Sequence, residues 1–160
     1  MRHQKSRRKF SRTPAHRQAL TANLLRALLH YEQLETTAAK AKALKSVADR
    51  LISRARDDSV HARRLVAPLL RNDRDLVRKL FKNIAPLATG DGGYVRVVPA
   101  YRRPGDAAPM AIVELVNKTP LYYERRKAEE DARKAKKEEA RKAAEKAQDA
   151  AQASGGAKQE

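Results

Sequence analysis

The sequence predicts an α+β domain in which helices pack on a small two- to three-stranded sheet, with an extended basic N-terminal arm before it and a charged helical C-terminal tail after it. Three observations carry this reading. Between residues 13 and 86, apolar side chains recur at helical spacing. Two Val- and Ile-rich runs follow the glycine cluster Gly90 to Gly93, as strands do. Composition then changes near Val116: residues 1–116 hold 24 basic and 10 acidic side chains, net +14, whereas 117–160 hold 12 and 9, net +3, with no large apolar residue after Tyr123. The expected organisation is therefore an arm over 1–12, a folded domain over 13–116 and a tail over 117–160.

The elements follow in order. Thr13 and Pro14 read as an N-cap and first helical position, because proline has no amide to leave unsatisfied there. Leu20, Leu24, Leu28 and Tyr31, with Leu25 and Leu29 beside them, keep one stripe of that helix toward a core. Leu34, Thr36 and Thr37 favour a short strand over 31–37, closing on Thr37 as the next cap. From Ala38 to Arg56 a second helix turns Ala41, Leu44, Val47, Ala48, Leu51, Ile52 and Ala55 inward and Lys42, Lys45 and Arg56 outward. Asp58 or Ser59 caps a short helix through Ala67, limited by Pro68. Asn72 or Asp73 caps another that carries Leu76, Val77, Leu80, Phe81 and Ile84 and ends before Pro86.

Residues 94–100 and 111–116 read as two antiparallel strands joined by the basic loop Arg102-Arg103-Pro104-Gly105-Asp106. A lone hairpin is marginal in water, so the segment near Leu34 is expected as a third strand. In the tail, Thr119-Pro120 again reads as a cap and helix start. The pairs Glu129–Arg133, Glu130–Lys134 and Glu138–Lys142 support a solvated helix ending at Ser154-Gly155-Gly156. No heptad of large apolar residues runs through it, which argues against a coiled coil.

The 160 residues carry 36 Lys plus Arg against 19 Asp plus Glu, net +17, and no Cys. Charge of one sign on this scale repels itself and is best neutralised by a polyanion, so nucleic acid is the expected partner. The first acid is Glu32, after eight Lys and Arg residues. That start also suits an anionic membrane surface or a transit peptide, but it lacks the apolar stretch of a secretory signal. Without Cys there is no disulfide, thiolate metal site or cysteine nucleophile. No run of 18 apolar residues is present, so no membrane span is expected.

Catalysis finds few ingredients. His3, His16, His30 and His61 show no metal-ligand spacing, and His16 and His61 suit surface or phosphate-facing donors. The glycine cluster lacks both the dinucleotide and the P-loop order, and the acids sit mostly at caps and turns. No enzyme activity, cofactor, metal or small-molecule substrate is expected. Two Phe and five Tyr, with no aromatic pair interleaved with basic residues on a strand, argue against a stacking platform. What remains is a reader of phosphates and shape. The arm (Arg2, Lys5, Arg7, Arg8, Lys9, Arg12), the helix face of Lys42 and Lys45, and the hairpin loop with Arg102 and Arg103 would grip folded nucleic acid at several points.

Five ordered pieces make the chain familiar: Met1-Arg2-His3 with Lys5; His16-Arg17-Gln18-Ala19 with Asn23; Glu35-Thr36-Thr37 with Lys40-Ala41-Lys42; Gly92-Gly93-Tyr94 with Arg96; and Arg103, Gly105-Asp106, Ala108-Pro109-Met110-Ala111 and Glu114-Leu115. Together they resemble the bacterial large-subunit ribosomal protein seventeen family. Many of its members have Gly where Arg7 stands and Pro where Ala39 stands, and its shortest members have no counterpart of the tail after Lys118. The resemblance implies a structural, non-catalytic protein on large-subunit ribosomal RNA near the polypeptide exit tunnel. It implies a cytoplasmic ribosomal location, a monomer within the assembly, and ribosomal protein thirty-two as a neighbour. It also counts against a transit peptide, since the family's mature chain starts at the equivalent of Met1. His3, His16, Arg17, Asn23, Thr36, Thr37, Lys40 and Arg96 thereby join the expected RNA-binding set. The competing expectation is a nucleoid-associated or other non-specific DNA-binding protein, for which the Lys- and Ala-rich tail is the best argument.

Overall fold

The structure, a computed structural model, describes residues 8–155, with side chains of the last helix as far as Lys136 and at Glu139. The described chain divides into two compact units, the first closing at Thr119 and the second running from Pro120.

In the first unit, Thr13 caps α1 (Pro14–Tyr31), its hydroxyl accepting from the His16 amide. The helix ends because Glu32 turns left-handed, with φ 63°. The expected strand thus starts later: Tyr31 is helical and 53% exposed rather than on the inward stripe, and β1 spans Gln33–Thr37. Thr37 occupies the N-cap position of α2 (Ala38–Ala55), but its side chain makes no capping hydrogen bond. α2 buries Ala41, Leu44, Ala48, Leu51, Ile52 and Ala55, as its periodicity predicts, while Val47, also expected inward, is only half-buried, at the edge of that stripe.

Ser59, not Asp58, caps α3 (Val60–Val66), and Asp73, not Asn72, caps α4 (Arg74–Lys79). Pro68 does limit α3, which ends at Val66, but does not stop the chain's helical course. It enters a 3-10 turn, Ala67–Leu70, near whose start the missing amide is harmless. Likewise α4 continues through a π turn, Leu80–Ile84, and a 3-10 turn, Ala85–Leu87, so Pro86 is accommodated inside helical structure rather than beyond it. Arg63 stacks 5.0 Å over the Phe81 ring, joining α3 to the π turn.

β2 (Val95–Arg102) and β3 (Pro109–Leu115) pair antiparallel, and β1 adds to the far side of β3, giving the order β1-β3-β2. The central strand is therefore the last in sequence. Register sets Leu34 opposite Val113 and Val113 opposite Val97, a row facing the helices. Pairing shifts between Pro99 and Arg102, so the hairpin is irregular at its tip. The core joins Leu25, Leu28 and Leu29 of α1 and the inner stripe of α2 to Val66, Leu70, Leu80, Phe81 and the sheet residues Val95, Ala111, Val113 and Leu115. Each such Leu, Ile or Phe contributes about 1.5–3 kcal/mol by burial.

One buried acid holds three junctions together. Glu32 is 1% exposed, and its carboxylate meets the Lys79 ammonium at 2.7 Å and accepts from the Thr119 amide at 2.8 Å and the Thr119 hydroxyl at 2.5 Å. Lys79 also donates to the His30 carbonyl at 2.9 Å. Burial pushes the Glu32 carboxyl up, but Lys79 and the two Thr119 donors outweigh it and hold it below the usual range. Residues 117–119, beyond the change in composition at Val116, belong to this fold: Asn117 donates to the Leu87 carbonyl at 2.6 Å and Lys118 pairs with Glu114 at 2.7 Å.

The second unit is one helix, α5 (Pro120–Gly155), along which Arg126 pairs with Glu130 at 3.2 Å. The expected pair Glu138–Lys142 lies outside the described side chains. Among the described residues no helix is long and apolar enough to cross a membrane.

Candidate nucleic-acid interface

α1 buries large side chains only in its second half, at Leu25, Leu28 and Leu29. Its first two turns present Pro14, Arg17, Gln18 and Thr21 instead, at spacing 0, 3, 4 and 7. Opposite them runs a stripe of α2 at the same helical spacing: Ala39, Lys42, Ala43, Ser46, Val47, Arg50, Leu51 and Arg54. The small residues Ala39, Ala43 and Ser46 along α2, and the lack of a large apolar residue on the facing turns of α1, leave a groove of about 580 Å³, which Arg8, Phe10 and Leu69 complete. Among the described residues five cations line it, Arg8, Arg17, Lys42, Arg50 and Arg54, and no carboxylate does. Cations gathered in a concavity over apolar walls focus positive potential and concentrate anions there.

The backbone leading into the groove departs from the extended arm expected before Thr13. Residues 9–12 form a turn, with the Arg12 amide donating to the Lys9 carbonyl at 3.2 Å and Phe10 and Ser11 both left-handed. Phe10 within this turn is half-buried at the groove. Arg12 then reaches His16, Nε to Nε2, at 3.3 Å.

Of the residues expected at the nucleic acid, the structure brings Arg8, Arg17 and Lys42 into this groove. Lys45 is exposed on α2 outside the groove, Lys40 is half-buried, and Lys9, His16 and Asn23 are exposed. Thr36 is 8% exposed, so its side chain sits in the fold, and Thr37 is half-buried. Arg96 and Arg103 are engaged within the chain: Arg96 pairs with Glu114 at 2.6 Å and Arg103 with Asp106 across the hairpin tip. The Arg103 guanidinium, helped by the Ala108 amide, draws the Asp106 carboxyl down to about 2. Lys118 and Arg96 together hold the Glu114 carboxyl below its usual range against partial burial. Arg102 is exposed at the end of β2. Arg2, His3, Lys5 and Arg7 lie outside the described residues.

Sequence reasoning missed Arg50 and Arg54, although both continue the stripe that begins at Lys42. It placed Arg56 on the outward basic face, and Arg56 is exposed. At the helix end its guanidinium also reaches the Gly90 carbonyl at 2.6 Å and the Tyr94 hydroxyl at 3.0 Å, tying α2 to the turn before β2. Among the described residues no group of His, Asp and Glu is placed to hold a metal ion.

Comparison with known proteins bears on this geometry. The family model described as Ribosomal protein L17 matches residues 20–116. A protein of Thermodesulfovibrio yellowstonii called large ribosomal subunit protein bL17 is 46% identical over 133 residues, 82% of this chain and 99% of its own. A protein of the same name from Desulfovibrio desulfuricans is 50% identical over 117 residues, 72% of this chain and 68% of its own.

Proposed function

Because the chain belongs to the ribosomal protein L17 family, structural and non-enzymatic components of the large ribosomal subunit, we propose that it binds and stabilises folded large-subunit ribosomal RNA through phosphate and shape contacts, near the polypeptide exit tunnel. The observation that carries this reading is the groove between α1 and α2, where five cations converge and no acid among the described residues answers them. An ordinary solvated face intersperses both signs; this one is built to be neutralised from outside. Residues 1–12 supply further cations ahead of the groove, and Lys45 and Arg102 extend the interface to α2 and the hairpin. Arg2, His3, Lys5 and Arg7 then lie extended between RNA segments, where a narrow chain reaches phosphates that a helix cannot. Asn23, Thr37 and Lys40 add polar groups to the same RNA-facing surface. The protein acts as a monomer within the cytoplasmic ribosome, beside other large-subunit proteins, ribosomal protein thirty-two among them, and takes no cofactor.

Sedimentation of a lysate tests this. The protein is expected in the large-subunit fraction after DNase treatment and to leave it after RNase. Retention on DNA, with loss after DNase, refutes the ribosomal reading in favour of a nucleoid protein.

A further inference from the structure

We propose that the α1–α2 groove is a pocket for one unpaired nucleotide of the RNA, its base seated on the apolar part of the lining and its flanking phosphates on the cations beside it. This rests on the RNA-binding function above and adds what the site recognises. Charge alone would be served by a convex basic face, whereas here the cations surround a cavity of about 580 Å³. That lies within the roughly 300–1,000 Å³ of pockets that enclose small organic ligands. Part of its lining is apolar, with Phe10, Ala43, Val47 and Leu69 half-buried and Leu51 buried, while Lys42, Arg50 and Arg54 beside them are exposed. An apolar lining gains nothing from a phosphate but accepts the face of a base.

The conformation of the segment points the same way. Phe10 and Ser11 hold φ of 56° and 50°, a region that residues with large side chains seldom occupy. Two successive residues held so are a local strain of the kind that accompanies ligand clamps. The outcome of that turn is an aromatic ring at the groove of a protein with only two Phe residues. Double-helical RNA presents its backbone and keeps its bases stacked, so it offers the cations a partner and the apolar lining none. A bulged or splayed nucleotide offers both.

Two RNA hairpins test this on the full-length protein at matched salt: one fully paired, the other identical but with a single unpaired adenosine. The parent is expected to bind the second about tenfold more tightly, the gain that one stacked base supplies. With 2-aminopurine as the unpaired base, its fluorescence changes on binding, a readout that needs no variant. Phe10→Leu removes the aromatic face and Ala43→Leu fills the apolar part of the groove without touching a charge. Each is expected to bring the affinity for the unpaired-base hairpin down to that for the paired one, at unchanged melting temperature. Arg50→Gln with Arg54→Gln makes the salt slope shallower by about two for both hairpins. Equal affinity of the parent for the two hairpins, or a tenfold preference that survives Ala43→Leu, overturns the pocket and leaves a phosphate grip. Such a protein still enters large subunits, so the RNA-binding function stands; a protein that binds neither hairpin and does not sediment with large subunits overturns both.

Discussion

Replacing Glu32 by Gln perturbs a fully buried carboxylate that is paired and hydrogen-bonded on both oxygens. The side chain keeps its size, but the Lys79 ammonium, with 15% of its side chain exposed, loses the carboxylate 2.7 Å away. The two Thr119 donors then face a neutral amide, one of whose termini is itself a donor. Breaking a buried ion pair from one side costs about 3–5 kcal/mol, because the remaining charge is left uncompensated. Partial exposure of Lys79 lets some water reach it, so we expect the lower end, about 3 kcal/mol. At about 4 °C per kcal/mol for a domain of this size, the melting temperature falls by about 12 °C.

The assay is urea unfolding followed by circular dichroism for the parent, Glu32→Gln, Lys79→Met and the double variant. The double variant should be less destabilised than the sum of the singles, with a coupling of about 0.5–3 kcal/mol, as touching residues show. The carboxyl's folded pKa lies below its unfolded one, so the unfolded chain binds more protons in the window between them. Its stabilisation is complete above the unfolded pKa of about 4.3 and is lost as pH falls through the lower folded value. Glu32→Gln should flatten that acid-side slope. A loss below about 1 kcal/mol, or strict additivity in the cycle, refutes the claim that this cluster joins the end of α1, α4 and the segment after β3.

Further outcomes are expected elsewhere. Asp73→Ala removes the α4 cap and the 2.9 Å partner of Arg26, and should lower stability in the same unfolding assay, whereas Asp73→Asn keeps the cap and should lower it less. If roughly 6–10 phosphates are neutralised, affinity for an RNA fragment should fall about 10³–10⁵-fold between 50 and 200 mM salt; near-constant affinity in a filter-binding titration counts against the cationic surface as the grip. Deleting residues 124–160, which include no large apolar side chain, should leave the melting temperature almost unchanged and reduce RNA affinity only slightly. Changing Arg7, Arg8 and Lys9 together to Ala should leave stability unchanged but make the salt slope shallower by about one for each phosphate the arm no longer neutralises, and a variant that enters large subunits as well as the parent at matched salt argues against a role for the arm.

Much of this architecture was readable from local signals. Thr13, Ser59 and Asp73 act within three residues of themselves, so their caps follow from nearest neighbours. The inward stripe of α2 follows from period alone, and the net +14 of residues 1–116 was enough to name a polyanion as partner. Local reading reached less far elsewhere. Pro68 does limit α3, which ends at Val66, but the chain goes on through Pro68 and Pro86 as 3-10 turns, each proline near a turn's start where its missing amide is not needed. Arg56 is exposed as expected, but its tie to the Gly90 carbonyl, thirty-four residues on, could not be read from the helix alone.

The placement of β3 between β1 and β2 depends on pairing across more than seventy residues, which no propensity encodes. Glu32 read only as the first acid of the chain; its role arises from Thr119, eighty-seven residues away. The groove is of the same kind. Lys42, Arg50 and Arg54 are outward positions of a helix in the sequence, and become the wall of a cavity only because the first turns of α1 stand opposite them without large apolar side chains. Period, caps and net charge are properties of neighbouring residues and survive in a linear string, whereas a concave site and a buried ion pair are properties of surfaces that meet only after the chain has folded.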